Sequence, residues 1–103
     1  MHKWIHKAVN MIVEHYDPEQ IILFGSQSKN RGNIQSDIDL LIIKATNIPR
    51  RYRGVEVAQL LKKYPVKFDL LFYTPGEIAE AREKPYSFLY SIFKSSEILY
   101  KKT

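Results

Sequence analysis

Two aspartates open an otherwise unbroken apolar run, Asp37-Ile38-Asp39-Leu40-Leu41-Ile42-Ile43. Such a run reads as a β-strand covered on both faces, so it demands a sheet with layers packed against it. Strand periodicity is two, which sends the Asp37 and Asp39 side chains to the same face. Their Cα atoms then lie about 6.5–7 Å apart. Two carboxylates ~6 Å apart repel by roughly 3 kcal/mol at an effective dielectric near 20. The pair is therefore costly unless a cation joins it.

The rest of the chain supplies the layers. Trp4, Ile5, Ala8, Val9, Ile12, Val13 and Tyr16 recur at three- and four-residue spacing, which predicts an amphipathic helix over 2–16, stopped by Asp17-Pro18. Gln20 to Phe24 reads as a short buried strand that Gly25 ends, and Ser26 to Ser36 reads as a polar loop. Arg50 to Tyr64 predicts one helix, with Val55, Val57, Ala58, Leu60 and Leu61 inward and Arg50, Arg51, Arg53, Lys62 and Lys63 outward. Val66 to Tyr73 reads as a third, buried strand with Asp69 in its middle. Thr74-Pro75-Gly76-Glu77 has the composition of a helix start, with a capping threonine, proline in the first turn and Glu77 placed to close a capping box. That helix runs to about Lys84. Another spans Tyr86 to Lys94 with Phe88, Leu89, Ile92 and Phe93 on its apolar face, and Glu97 to Lys101 forms a last edge strand guarded by lysines. The order is α-β-β-α-β-α-α-β: one α/β (α+β) domain over residues 1–103, with helices packed on a small mixed sheet.

Composition narrows the chemistry. The chain has 103 residues and no cysteine, so disulfides, thiolate zinc sites and a cysteine nucleophile are excluded. Histidine 2, Lys3, His6 and Lys7 interrupt the N-terminal segment, which does not read as a signal peptide, and no stretch reaches the roughly 20 apolar residues of a membrane span. A cytoplasmic protein is expected. The net charge of +5 suits a polyphosphate, an acidic protein or a nucleic acid, and equally a solubilising surface.

If the strands at 37–43 and 66–73 are neighbours, Asp37, Asp39 and Asp69 converge. Oxygen ligands without cysteine or a nearby histidine favour Mg²⁺ or Mn²⁺ over zinc. The bland alternatives are a solvated strand end for Asp37 and Asp39, and an edge charge paired with Lys67 for Asp69. Gly25-Ser26 supplies a sharp turn whose N–H groups and hydroxyl can hold phosphate oxygens. Alone it is an ordinary turn. Followed after ten residues by Asp-x-Asp, between apolar strands, it is far more specific.

Ile22-Leu23-Phe24-Gly25-Ser26 followed by Ser36-Asp37-Ile38-Asp39-Leu40-Leu41-Ile42 resembles the signature of the minimal nucleotidyltransferases of the polymerase β-like superfamily. Val66-Lys67-Phe68-Asp69-Leu70-Leu71 resembles their third-carboxylate strand, Thr74 to Glu77 the helix start that follows it, and Ile98-Leu99-Tyr100 a common ending. The resemblance implies that Gly25 and Ser26, with Lys29 and Ser36, bind the nucleotide, ATP being the expected substrate. It implies that Asp37 and Asp39 bind two Mg²⁺ ions, and that Asp69 completes one metal site and helps deprotonate the acceptor hydroxyl. One segment departs from the pattern. Many relatives carry glycine where this chain has Asn30, within Gln27-Ser28-Lys29-Asn30-Arg31-Gly32, which leaves either Lys29 or Arg31 to touch phosphate.

In the resembling family, stand-alone domains of this size are often antitoxins paired with HEPN-domain toxins, and they adenylylate a tyrosine of the toxin. The expectation is accordingly a protein adenylyltransferase with a HEPN partner. The alternatives are a module that neutralises its partner by contact, transfer to a small molecule, and, less favoured, a nucleic-acid-binding module.

Overall fold

The computed structural model describes residues 3–25 and 37–103. Helix α1 spans Lys3–Tyr16 and buries Ile5, Ala8 and Ile12, the three- and four-residue spacing of one helical stripe. It ends at Asp17, whose φ of 51° is left-handed and whose N–H donates to the Val13 carbonyl at 3.2 Å. An aspartate does here what glycine usually does at a helix end. Its carboxylate meets the Lys102 ammonium at 2.9 Å, tying the end of α1 to the C-terminal segment.

Four strands form one mixed sheet in the order β3-β2-β1-β4: β1 Gln20–Phe24, β2 Ile38–Ile43, β3 Phe68–Tyr73 and β4 Ser96–Lys101. β1 runs antiparallel to both β2 and β4, whereas β2 and β3 are parallel. The parallel pair is joined by a crossover through a 3₁₀ turn, Arg50–Tyr52, and helix α2, Val55–Leu61. Helix α3, Pro75–Arg82, and helix α4, Phe88–Phe93, follow β3.

The sheet has a core on each face, as the apolar run at 38–43 demands. Ile21, Leu23, Ile38, Leu40 and Ile42 pack with α1 and α2 on one side. Ile22, Leu41 and Ile43 pack with Ile78, Ala81, Leu89 and Ile92 of α3 and α4 on the other. Successive residues of one strand thus feed opposite cores. The Thr74 hydroxyl accepts the Glu77 N–H at 3.1 Å and the Glu77 carboxylate accepts the Thr74 N–H at 2.8 Å, completing the capping box. No described helix is long and apolar enough to cross a membrane.

Several sequence expectations are corrected. The single helix over 50–64 is two pieces, because Gly54 between them adopts a left-handed φ of 70°. A Cβ there would overlap the Phe72 ring, so close approach of the crossover to β3 requires glycine. The break re-aims the arginines: Arg53 points inward, its side chain only 8% exposed, and its guanidinium meets the Glu77 carboxylate at 2.7 Å. Val55 and Ala58, expected inward, are exposed, because α2 buries only Val57 and Leu61, and Phe88 on α4 is exposed too. β3 also begins later than expected and is an edge strand, so Asp69 is exposed rather than buried.

Candidate active site

The parallel register of β2 and β3 sets Asp39 directly beside Asp69. The two strands that had to be neighbours for these acids to meet are neighbours. On the other side of Asp39 runs β1, whose Phe24 is its register partner. β1 then turns at Gly25 with φ of 77°, and a Cβ on that residue would collide with Asp39 Oδ2. The turn is therefore glycine for two reasons, its left-handed backbone and the carboxylate pressed against it.

Asp39 is half-buried between these neighbours. Burial, the charge of Asp69, a hydrogen bond with the Asp69 carboxyl and the charge of Asp37 push its pKa up to about 6. A carboxyl in that state takes up a proton or a cation more readily than a surface aspartate.

Asp37 lies one residue ahead of β2 and is 45% exposed, with Asp69 similar at 48%. Between them stands the Lys67 ammonium, 3.8 Å from Asp37 Oδ2 and 3.9 Å from Asp69 Oδ1. Lys67 entered the sequence reading only as a pairing partner for Asp69. The signal that it belongs to the site was its spacing, two residues before Asp69 and hence on the same strand face. The Ile38 N–H donates to the Lys67 carbonyl at 3.0 Å, which locks this end of β3 onto β2.

Among the described residues, no three Asp, Glu, His or Cys side chains close on one point as a ready ion cage. Asp39 and Asp69 stand side by side, whereas Asp37 faces Lys67. The donor set is nonetheless all oxygen, and Asp39, half-buried beside Asp69, forms no salt bridge with a described residue, so the residues fit a hard divalent cation that also takes oxygens from a ligand. Ser26, Lys29, Arg31 and Ser36 lie outside the described residues.

A two-sided mixed sheet thus sets paired carboxylates beside a glycine turn. The chain belongs to the polymerase beta nucleotidyltransferase family, whose family model matches residues 6–103. No curated protein matches the chain. Among solved structures, a nucleotidyltransferase from Sulfolobus solfataricus is similar at 18% identity and a TM-score of 0.69, covering 99% of this chain and 81% of that one. A toxin–antitoxin with AMP-PNP is similar at 20% identity and a TM-score of 0.62, covering 94% of this chain and 73% of that one. A mutant of the toxin–antitoxin MntA–HpeT is similar at 21% identity and a TM-score of 0.62, covering 96% of this chain and 73% of that one. These likenesses establish the fold.

Proposed function

We propose that this chain transfers AMP from ATP to a hydroxyl acceptor, a tyrosine of a partner HEPN toxin, and so acts as an antitoxin. The family membership gives the class of reaction. The observation that carries the chemistry is Asp39, held between Asp69 and the Gly25 turn with its pKa raised to about 6. The toxin–antitoxin character of two structural neighbours supports the choice of partner.

In this reading Gly25 and Ser26 hold the β- and γ-phosphates, helped by Lys29 and Ser36. Asp37, Asp39 and Asp69 hold Mg²⁺, which supplies charge neutralisation on the phosphates and on the acceptor oxygen. Asp69, the more exposed of the register pair, accepts the proton of the acceptor hydroxyl. The acceptor oxygen bonds to the α-phosphorus, the bond from that phosphorus to the β-bridging oxygen breaks, and pyrophosphate leaves. The residues position the groups and form no covalent bond themselves, as phosphoryl-type transfer requires.

The test is incubation with α-labelled ATP, Mg²⁺ and a candidate HEPN partner. Label on a tyrosine of the partner is expected, with loss of at least about 100-fold in rate for Asp39→Asn, since the charge it supplies acts on the transferring group itself. A folded wild-type protein that transfers no label sinks the proposal. If Asp39→Asn still protects cells against the partner, contact alone is the antitoxin mechanism.

A further inference from the structure

β3 is an edge strand, and its outer rim is not fully closed. In a parallel ladder alternate residues turn their N–H and C=O to the neighbouring strand and the others turn outward. Lys67 and Tyr73 turn inward, since their carbonyls accept the Ile38 and Lys44 N–H groups at 3.0 Å. The even residues Phe68, Leu70 and Phe72 therefore turn outward. At Phe72 the rim is capped: its carbonyl accepts from Arg53 Nη1 at 3.2 Å. At Leu70 and Phe68, no described residue takes the outward groups.

This open stretch lies along a groove of about 500 Å³ between β3 and the crossover. Ala58 and Val55 on the helical side and Leu70 and Phe68 on the strand side make its walls apolar. Its charged lining is all of one sign: Arg50, Arg51, Arg53 and Lys62, without an acid. Arg53 is spent on Glu77, but Arg50, Arg51 and Lys62 form no salt bridge with a described residue. Arg50 and Arg51 are instead braced against the Tyr73 and Tyr52 rings, at 4.7 and 4.9 Å from the centroids.

We infer that this rim is a strand-addition site for an extended acidic segment of a partner protein. Backbone groups at Phe68 and Leu70 are spaced to pair with a peptide backbone, which a nucleic acid cannot supply. Alternate apolar side chains of the segment face the groove walls, and acidic ones meet Arg50, Arg51 and Lys62. The surface is built on the crossover and the outer edge of β3; Phe68 and Leu70 flank Asp69, so a bound segment lies beside the carboxylate pair, but its ladder and charge contacts use none of the side chains assigned to transfer.

The test uses three blocked ten-residue peptides: one alternating valine and glutamate, one alternating valine and lysine, and the first with N-methyl groups on alternate residues. Each is titrated into the isotope-labelled full chain while backbone amide signals are followed by NMR. The glutamate peptide is expected to shift the Phe68 and Leu70 amides, with the lysine and N-methylated peptides binding at least about tenfold more weakly, because one loses charge complementarity and the other the ladder bonds. Arg51→Glu with Lys62→Glu is expected to weaken the glutamate peptide by a similar factor. If that variant fails to fold, the N-methylated peptide alone decides the case. Equal binding of the lysine peptide, shifts confined to other strands, or no binding at millimolar peptide overturns the inference. So does a single-stranded oligonucleotide that displaces the glutamate peptide from the same amides with a steep salt dependence.

Discussion

At the scale of the residue, the site is governed by one crowded carboxylate. Asp39 has a pKa of about 6 in the folded chain against an ordinary value of 3.8. The folded state thus holds a proton that the unfolded state releases, and stability from this group is present below about pH 4 and lost as pH rises to about 6. Asp39→Asn is expected to match wild type near pH 4 and to be more stable by the order of 1 kcal/mol at pH ~7.5 without cations, after discounting for solvent screening. Urea titrations at the two pH values check it. Gly25→Ala is expected to cost about 2–3 kcal/mol, from its left-handed φ and from the clash with Asp39. Adding Asp39→Ala removes the clash but not the backbone strain, so the double variant should recover about 1 kcal/mol relative to additivity, read from a double-mutant cycle.

At the scale of the element, Arg53 joins pieces that the sequence pattern separates. Its guanidinium donates to the Ile48 carbonyl at 2.7 Å, to the Phe72 carbonyl at 3.2 Å and to the Glu77 carboxylate at 2.7 Å, linking the crossover, β3 and the start of α3. The hydrogen bond from Arg53 holds the Glu77 carboxyl below the usual glutamate range. That stabilisation is present above the unfolded pKa of Glu77 and lost as pH falls through its lower folded value. Arg53→Met is expected to cost about 2–3 kcal/mol at neutral pH and visibly less near pH ~3, measured by thermal unfolding. The capping box was readable as Thr74-x-x-Glu77, because it depends on residues three apart. The inward turn of Arg53 was not. It follows from the left-handed Gly54, and the constraint on Gly54 comes from the Phe72 ring, 18 positions further along the chain. Likewise the apolar run at 38–43 announced two cores, and they exist, whereas the edge position of β3 is fixed by strand order, which periodicity does not encode. Asp39 was legible as an acid in a poor place for an acid, whereas the buried setting expected for Asp69 is not met, because β3 lies at the sheet edge. That Lys67 stands between Asp37 and Asp69 depends on where β3 begins.

At the scale of the whole molecule, protection divides between the centre of the sheet and its rim. β1 and β2 have strand neighbours on both sides, and β2 is buried along nearly its whole length. Amide hydrogen exchange is expected to be slowest in β1 and β2 and faster in β3 and β4, since an edge strand opens without breaking the sheet. On the proposed metal site, magnesium at ten times its pH ~7.5 Kd is expected to add about 1.4 kcal/mol at that pH and markedly less at pH ~5, where Asp39, raised to about 6, is mostly protonated. Scanning calorimetry at both values reads the difference. The strand that completes the sheet is the last one: β4 pairs with β1, placing Lys101 beside Gln20. The strands carrying Gly25, Asp39 and Asp69 all precede residue 74. During synthesis Asp39 and Asp69 can therefore be brought side by side while β1 still lacks its outer neighbour. A nascent chain halted before Ser96 would hold the Asp39–Asp69 pair yet present the bare edge of β1 to other chains, so the last strand made is also the one that closes an exposed pairing edge.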